Sequence, residues 1–263
     1  MSVSKNSSQI DSPRREDLAV YCLRLADDRL VLGHRLSEWC RFGPTLEEDI
    51  ALTNIALDLV GEANHLYTIV GTLRGDGKSP DDLAYLRDER EYTNVTLVEV
   101  PRGDFAVTIT RQFFFDVYSA LLFEKLSTST FEDLAGIAAR SLKETRYHLR
   151  HSSEWMLRLG DGTEESHRRV QEAVDALWMY TGELFESDDI EKRLAEVGLA
   201  PLSSDFESSW KEQVAAVLKQ ATLSEPRDTH QATGGRSGLH TEHLGHMLAE
   251  MQILPRSYPG AKW

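Results

Sequence analysis

An all-α fold, a four-helix bundle with additional helices toward its C-terminal end, is predicted by three observations. Apolar residues recur at spacings of three and four over four long stretches, the period of helices with one buried stripe. Helix-starting and helix-stopping residues bracket those stretches. The long stretches fall into two pairs, and the connection between the pairs is longer than the connections within them.

The first helix is expected from about Glu16 to Trp39, with Leu18, Cys22, Leu25, Leu32 and Leu36 on its stripe. Gly43-Pro44 breaks it, and Thr45-Leu46-Glu47-Glu48 reads as a capping box that opens the second helix. That helix runs to about Leu73, with Ala51, Ile55, Leu59, Leu66, Ile69 and Leu73 inward and Asp58, Glu62 and His65 on or beside the same face. Ser79-Pro80 opens a short helix, with Ser as cap and Pro in the first turn. Leu97 to Val100 is a brief β-prone run.

The third long helix spans about Phe105 to Leu126 and carries Ile109, Phe113, Asp116, Ala120 and Phe123 inward. The fourth starts near Thr130 and runs to Leu159, where Gly160 stops it, with Ala138, Leu142, Thr145, Leu149, Ser152 and Met156 on its stripe and His148 among them. Shorter helices follow from Thr163 to about Phe185, Asp188 to Val197, Asp205 to Ala221 and His240 to Leu254. Thr233 to Gly238 is expected to be a flexible loop. Residues 1–15 are expected to form a disordered tail and 16–263 a single helical domain.

Composition excludes several classes of function. A net charge of −14 argues against nucleic-acid binding, which needs a basic surface. No apolar run is long enough to span a membrane, and the polar N-terminus lacks the apolar core of a signal peptide, so the chain is expected in the cytoplasm. Cys22 and Cys40 are the two cysteines of the chain, too few for a disulfide framework or a paired Cys-x-x-Cys metal site. No Gly-x-Ser-x-Gly motif supports a nucleophile, and the Gly234-Gly235 pair makes no phosphate loop, because no strand precedes it and no Gly-Lys-Ser/Thr follows it.

One chemistry needs weighing. In bundles, a Glu-x-x-His motif on each of two helices, plus a Glu from each of the other two, makes a di-iron site. Glu62-Ala63-Asn64-His65 has that spacing, although any acidic helix produces it by chance. The fourth helix offers Thr145-x-x-His148 instead, and Thr is a poor iron ligand. The first helix offers Asp27, Asp28 and Glu38 with Arg29 among them, and the third offers Asp116. Two readings stand: residual metal held by Glu62, His65, Asp116 and His148, or a core in which Asp116 and His148 pair with each other or with Arg29 or Lys143. A buried carboxylate must be matched in some such way. His240, His243 and His246 drift around their helix by about 60° per step and read as a helix start rather than a zinc motif.

Five segments carry a family resemblance: L-A-D-D-R-L-V-L-G-H-R-L-S-E-W-C (25–40), N-I-A-L-D-L-V-G (54–61), R-D-E-R-E-Y-T-N (87–94), K-E-T-R-Y-H-L-R (143–150) and T-G-G-R-S-G-L-H-T-E-H-L-G-H-M-L-A-E-M-Q (233–252). They resemble the PaaC family, the C subunits of bacterial phenylacetyl-CoA epoxidases, from about Tyr21 to Trp263. The resemblance implies a ferritin-like fold and a structural role in aerobic phenylacetate breakdown, beside a catalytic A subunit that carries the di-iron centre. It implies no cofactor in this chain. Residue by residue, it places Leu59 at the active subunit's second-helix Glu and Glu62 at its His. Thr145 falls at the fourth-helix Glu, His148 at the retained His and Asp116 at a third-helix carboxylate, and the first-helix position falls near Arg29. Other subunits of the complex are implied as partners, with a homodimer an option for the chain alone. The alternative reading is an independent ferritin-like di-iron or iron-binding protein. Phe113, Phe114 and Phe115 cannot all share one helical stripe, so Phe114 is expected to face a partner.

Overall fold

The computed structural model describes residues 11–227 and 230–261. Among them the chain forms nine α-helices, short 3₁₀ turns and no strand. The fold is all-α and ferritin-like. Helices α1 (Ser12–Ser37) and α2 (Leu46–Arg74) pack as one long pair, and α4 (Phe105–Leu126) and α5 (Glu132–Gly160) as the other. Between the pairs runs a connector with α3 (Pro80–Tyr85) and two 3₁₀ turns. Helices α6 (Glu164–Leu177), α7 (Asp189–Ala195) and α8 (Glu207–Gln220) lie against the long helices, and α9 (Glu242–Ser257) lies on α3 and the connector.

Local chemistry sets the helix ends. Helix α1 begins at Ser12 because the Asp11 carboxylate accepts from the Arg14 amide at 3.1 Å and Pro13 fits the first turn. Residues 12–15, expected in the tail, are therefore helical, and residues 1–10 lie outside the described residues. Thr45 caps α2 by accepting from the Glu48 amide, and Gly75 ends it in the left-handed region at φ 64°. The Glu48 carboxylate does not close a capping box. It turns instead to His151 on α5, at 2.8 Å.

The first pair packs closely because of Gly33. A Cβ there would lie 3.0 Å from Val60 Cγ2 and 3.2 Å from the Ala56 carbonyl oxygen. The start of the second pair is tied to the first where the Trp39 indole donates to Thr108 Oγ1 at 2.9 Å.

Helix α4 is the inner member of the bundle. Every residue from Thr108 to Ser119 is buried. Helices α6 and α8 and the 3₁₀ turns after α6 cover the side that α1, α2 and α5 leave free. Phe114, fully buried, meets Trp178 edge-on at 5.7 Å and Trp210 at a tilt at 5.5 Å, and the Trp210 indole donates to the Phe114 carbonyl. The expectation that Phe114 faces a partner is thus overturned. The chain's own C-terminal half takes that place.

Two further expectations change. Leu97 to Val100 lies in and just beyond a 3₁₀ turn, Thr96–Glu99, not in a strand. The Thr96 amide donates to Glu183 instead of a neighbouring strand. The helix opened by Thr163 ends at Leu177 rather than near Phe185, and two 3₁₀ turns carry the chain on.

Candidate functional site

The candidate residues meet inside the bundle, but in pairings other than those expected. Arg29 is fully buried between α1, α2 and α4. Its guanidinium lies over two rings of α4, 4.7 Å from Phe123 and 5.3 Å from Phe115. Its Nε is 3.4 Å from a Glu62 carboxylate oxygen, and Asp28 follows at 3.8 Å. Burial pushes the Glu62 carboxyl up to about 7, against the pull of Arg29 and of the Ser141 hydroxyl. Leu59, one turn before Glu62, is buried among apolar neighbours.

Asp116 does not pair with His148. Its two oxygens accept from the Gln112 amide at 2.7 Å and from Ser152 Oγ at 2.8 Å. Burial raises this carboxyl well above the usual range. His148 turns the other way and meets Asp58 of α2, Nε2 to Oδ2 at 3.0 Å. Burial holds its imidazole below its ordinary value. Ser152 lies one turn further along α5 and is the hydroxyl that reaches Asp116, which leaves His148 to the α2 side. Thr145 is buried on the same stripe, His65 is half-buried at the surface of α2, and Lys143 is exposed on α5.

These donors do not fit a di-iron centre, which takes four carboxylates and two imidazoles converging. Leu59 offers no donor and Thr145 a poor one. Near the first-helix position that the resemblance implies stands the Arg29 guanidinium, a donor group that offers a metal ion no ligand. Asp116 and His148 are each engaged in a different direction. Among the described residues no group of three or more His, Cys, Asp or Glu is placed to hold a metal ion.

A family model described as "Phenylacetic acid catabolic protein" matches residues 1–263. The chain belongs to the phenylacetic acid catabolic protein family. It is also 48% identical, over 246 residues, to the C subunit of 1,2-phenylacetyl-CoA epoxidase from Escherichia coli (strain K12). That match covers 94% of this chain and 99% of the relative. No helix among the described residues is long and apolar enough to cross a membrane.

The segments that carry the family likeness turn out to touch one another. Asp27 accepts from Tyr67 at 2.6 Å, from the Thr93 amide and hydroxyl at 2.8 and 3.0 Å, and from both Arg87 terminal nitrogens. Asp28 takes a bidentate pair from Arg236, at 3.0 and 2.9 Å, and accepts from the Val95 amide. Glu99 receives His240 at 2.5 Å and the Thr241 amide and hydroxyl at 2.8 Å. Burial alone would lower the His240 imidazole, but the bond to Glu99 and its charge outweigh it and raise it.

The stretch expected to be a flexible loop is therefore a pinned 3₁₀ turn, Gly235–Ser237. A Cβ at Gly235 would lie 2.3 Å from the Asn94 carbonyl oxygen, so only glycine lets the two backbones meet there. In the sequence, Asp27 and Asp28 stand out only as possible first-helix ligands, and Arg236 only within a family segment. The one signal of their role is two adjacent aspartates midway along a helix with a buried apolar stripe, which must be matched by cations wherever they are buried.

Proposed function

We infer that this chain is the non-catalytic C-type subunit of a cytoplasmic phenylacetyl-CoA epoxidase complex, and that it works by contact with a di-iron catalytic A-type subunit. The reading is supported by the identity to the C subunit of an epoxidase along nearly the whole of both chains. The observation that carries the non-catalytic part is Arg29. By the resemblance, the guanidinium 3.4 Å from Glu62 falls near the first-helix position, where a metal-binding bundle needs an anionic ligand. The alternative of an independent iron enzyme would require Arg29 to vacate a fully buried position between two aromatic rings.

Such a chain contributes surface and stability to the complex. Among the described residues, its interior holds buried ion pairs and packed aromatic rings. The test is reconstitution. Co-expressed with an A-type subunit, the chain is expected to co-purify with it and to be required for phenylacetyl-CoA oxidation. A chain that binds no A-type subunit, or an oxidation that proceeds equally without it, overturns the reading.

A further inference from the structure

A groove opens between α2 and α5, on the side of the bundle that no other helix of the described chain covers. Its volume is about 470 Å³. Two His–carboxylate ties close the seam beyond one end: Glu48 to His151 and Asp58 to His148. Past the Asp58–His148 tie, from Gly61 to Thr72 of α2, the seam stands open, a span of about 18 Å at 1.5 Å per residue.

Three features of this groove point to an occupant. Its walls are apolar in Leu57, Ile69 and Ile137, and Leu57 is 64% exposed. Leu46 and Ile50 extend the same apolar stripe along α2, at 71% and 52% exposure, a helical spacing that normally marks a covered face. Gly61 of α2 and Gly136 of α5 both line the opening, and a Cβ at either would meet nothing within 4 Å.

The third feature is charge. Asp58, Glu62, Glu132, Asp133 and Glu144 line the groove against a single arginine, Arg140, and His65. Arg140 is held only loosely, 3.8 Å from Glu144. Glu62 is 97% buried, since 3% is exposed, yet its Oε1 has no hydrogen-bond partner. A buried carboxylate oxygen left unmatched is costly and awaits a donor.

We propose that the α2–α5 groove seats an amphipathic helix of the catalytic partner subunit, whose lysine or arginine reaches the free oxygen of Glu62 beside Glu144. The inference rests on the partnership argued above and assigns it a place. A helix fits the opening in length and in its apolar walls, the groove-and-anchor mode of helix recognition. A second copy of this chain is the poorer occupant. It would bring another acidic surface from a chain of net charge −14 against five carboxylates.

The test uses the full chain with an A-type subunit. Two variants alter the groove: Gly136→Phe, which fills open space, and Glu144→Lys, which reverses charge at a half-buried site. Both are expected to keep the melting temperature of the isolated chain and to weaken association with the A-type subunit at least tenfold. Benzoylphenylalanine placed at Gly136 is expected to cross-link, on illumination, to a helical segment of the partner that carries Lys or Arg within one turn. If the unaltered chain binds the A-type subunit and both variants bind it equally well, the groove is not the seat, while the partnership stands. Cross-linking mainly to a second copy of this chain overturns the proposal in favour of a homodimer face. If the unaltered chain binds no A-type subunit, the partnership itself has failed.

Discussion

The Arg29 guanidinium lies 3.4 Å from the Glu62 carboxylate, inside the bundle and under two phenylalanine rings. The pair joins α1 to α2 in the interior of the bundle. Removing one member of a buried pair leaves an uncompensated charge and costs about 3–5 kcal/mol. Replacing both by apolar groups of similar size is often neutral. Arg29→Met is thus expected to lower the unfolding free energy by about 3–5 kcal/mol, and Arg29→Met combined with Glu62→Leu to recover most of that loss. Urea unfolding of the three chains measures it. A double variant no more stable than Arg29→Met alone would show that the pair is not what holds the site.

The Asp58–His148 tie makes a pH-dependent contribution with a defined sign. Burial holds the His148 imidazole below its ordinary value of 6.5, against the pull of Asp58. The folded chain takes up this proton less readily than the unfolded chain does. The stability linked to His148 is therefore fully present above about pH 6.5 and is lost as pH falls through the folded-state value. Raised carboxyls at Glu62 and Asp116 act in the opposite sense, so the comparison must be differential. Between pH 7.5 and 5.5 the melting temperature of the unaltered chain is expected to fall relative to that of His148→Gln. Parallel curves would show that His148 does not titrate differently in the folded chain.

Phe114 belongs to the interior. It meets Trp178 and Trp210 edge-on or tilted at 5.7 and 5.5 Å. Phe114→Ala is expected to cost about 3–5 kcal/mol, the usual range for a large buried aromatic, and Phe114→Glu to prevent folding altogether, since it buries an unpaired charge. Circular dichroism of the purified chains is the check. A well-folded Phe114→Glu chain with a defect confined to complex formation would restore Phe114 to an interface.

Period and punctuation made the long helices legible. Phe105–Leu126 is reproduced to the residue, because Asp104 caps it by accepting from the Val107 amide and its apolar content leaves no ambiguity. What the period could not say is which faces are doubly covered. The run from Thr108 to Ser119 is buried on every side, and its three consecutive phenylalanines were the legible sign that α4 lies at the centre of the fold. Reading it as one inward stripe sent Phe114 to a partner.

Candidate-site residues were legible as types but not as pairs. Asp116 and His148 both lie inside, as their stripes require. Their partners depend on side-chain direction one turn either way, which set Ser152 on Asp116 and Asp58 on His148. The contacts of Asp27 and Asp28 with Arg87 and Arg236 join residues 60 to 208 positions apart. No local period carries information of that range. It surfaced instead as the distinctive segments by which the family is known.

Iron content tests the central claim most directly, that this chain supplies contact rather than metal chemistry. The chain alone, purified after aerobic expression in iron-rich medium, is expected to hold no stoichiometric iron and to lack an oxo-bridge absorbance. In complex with an A-type subunit, all iron is expected to follow that subunit when the two are separated. Two irons bound per chain of the isolated protein, with that absorbance, would contradict the account.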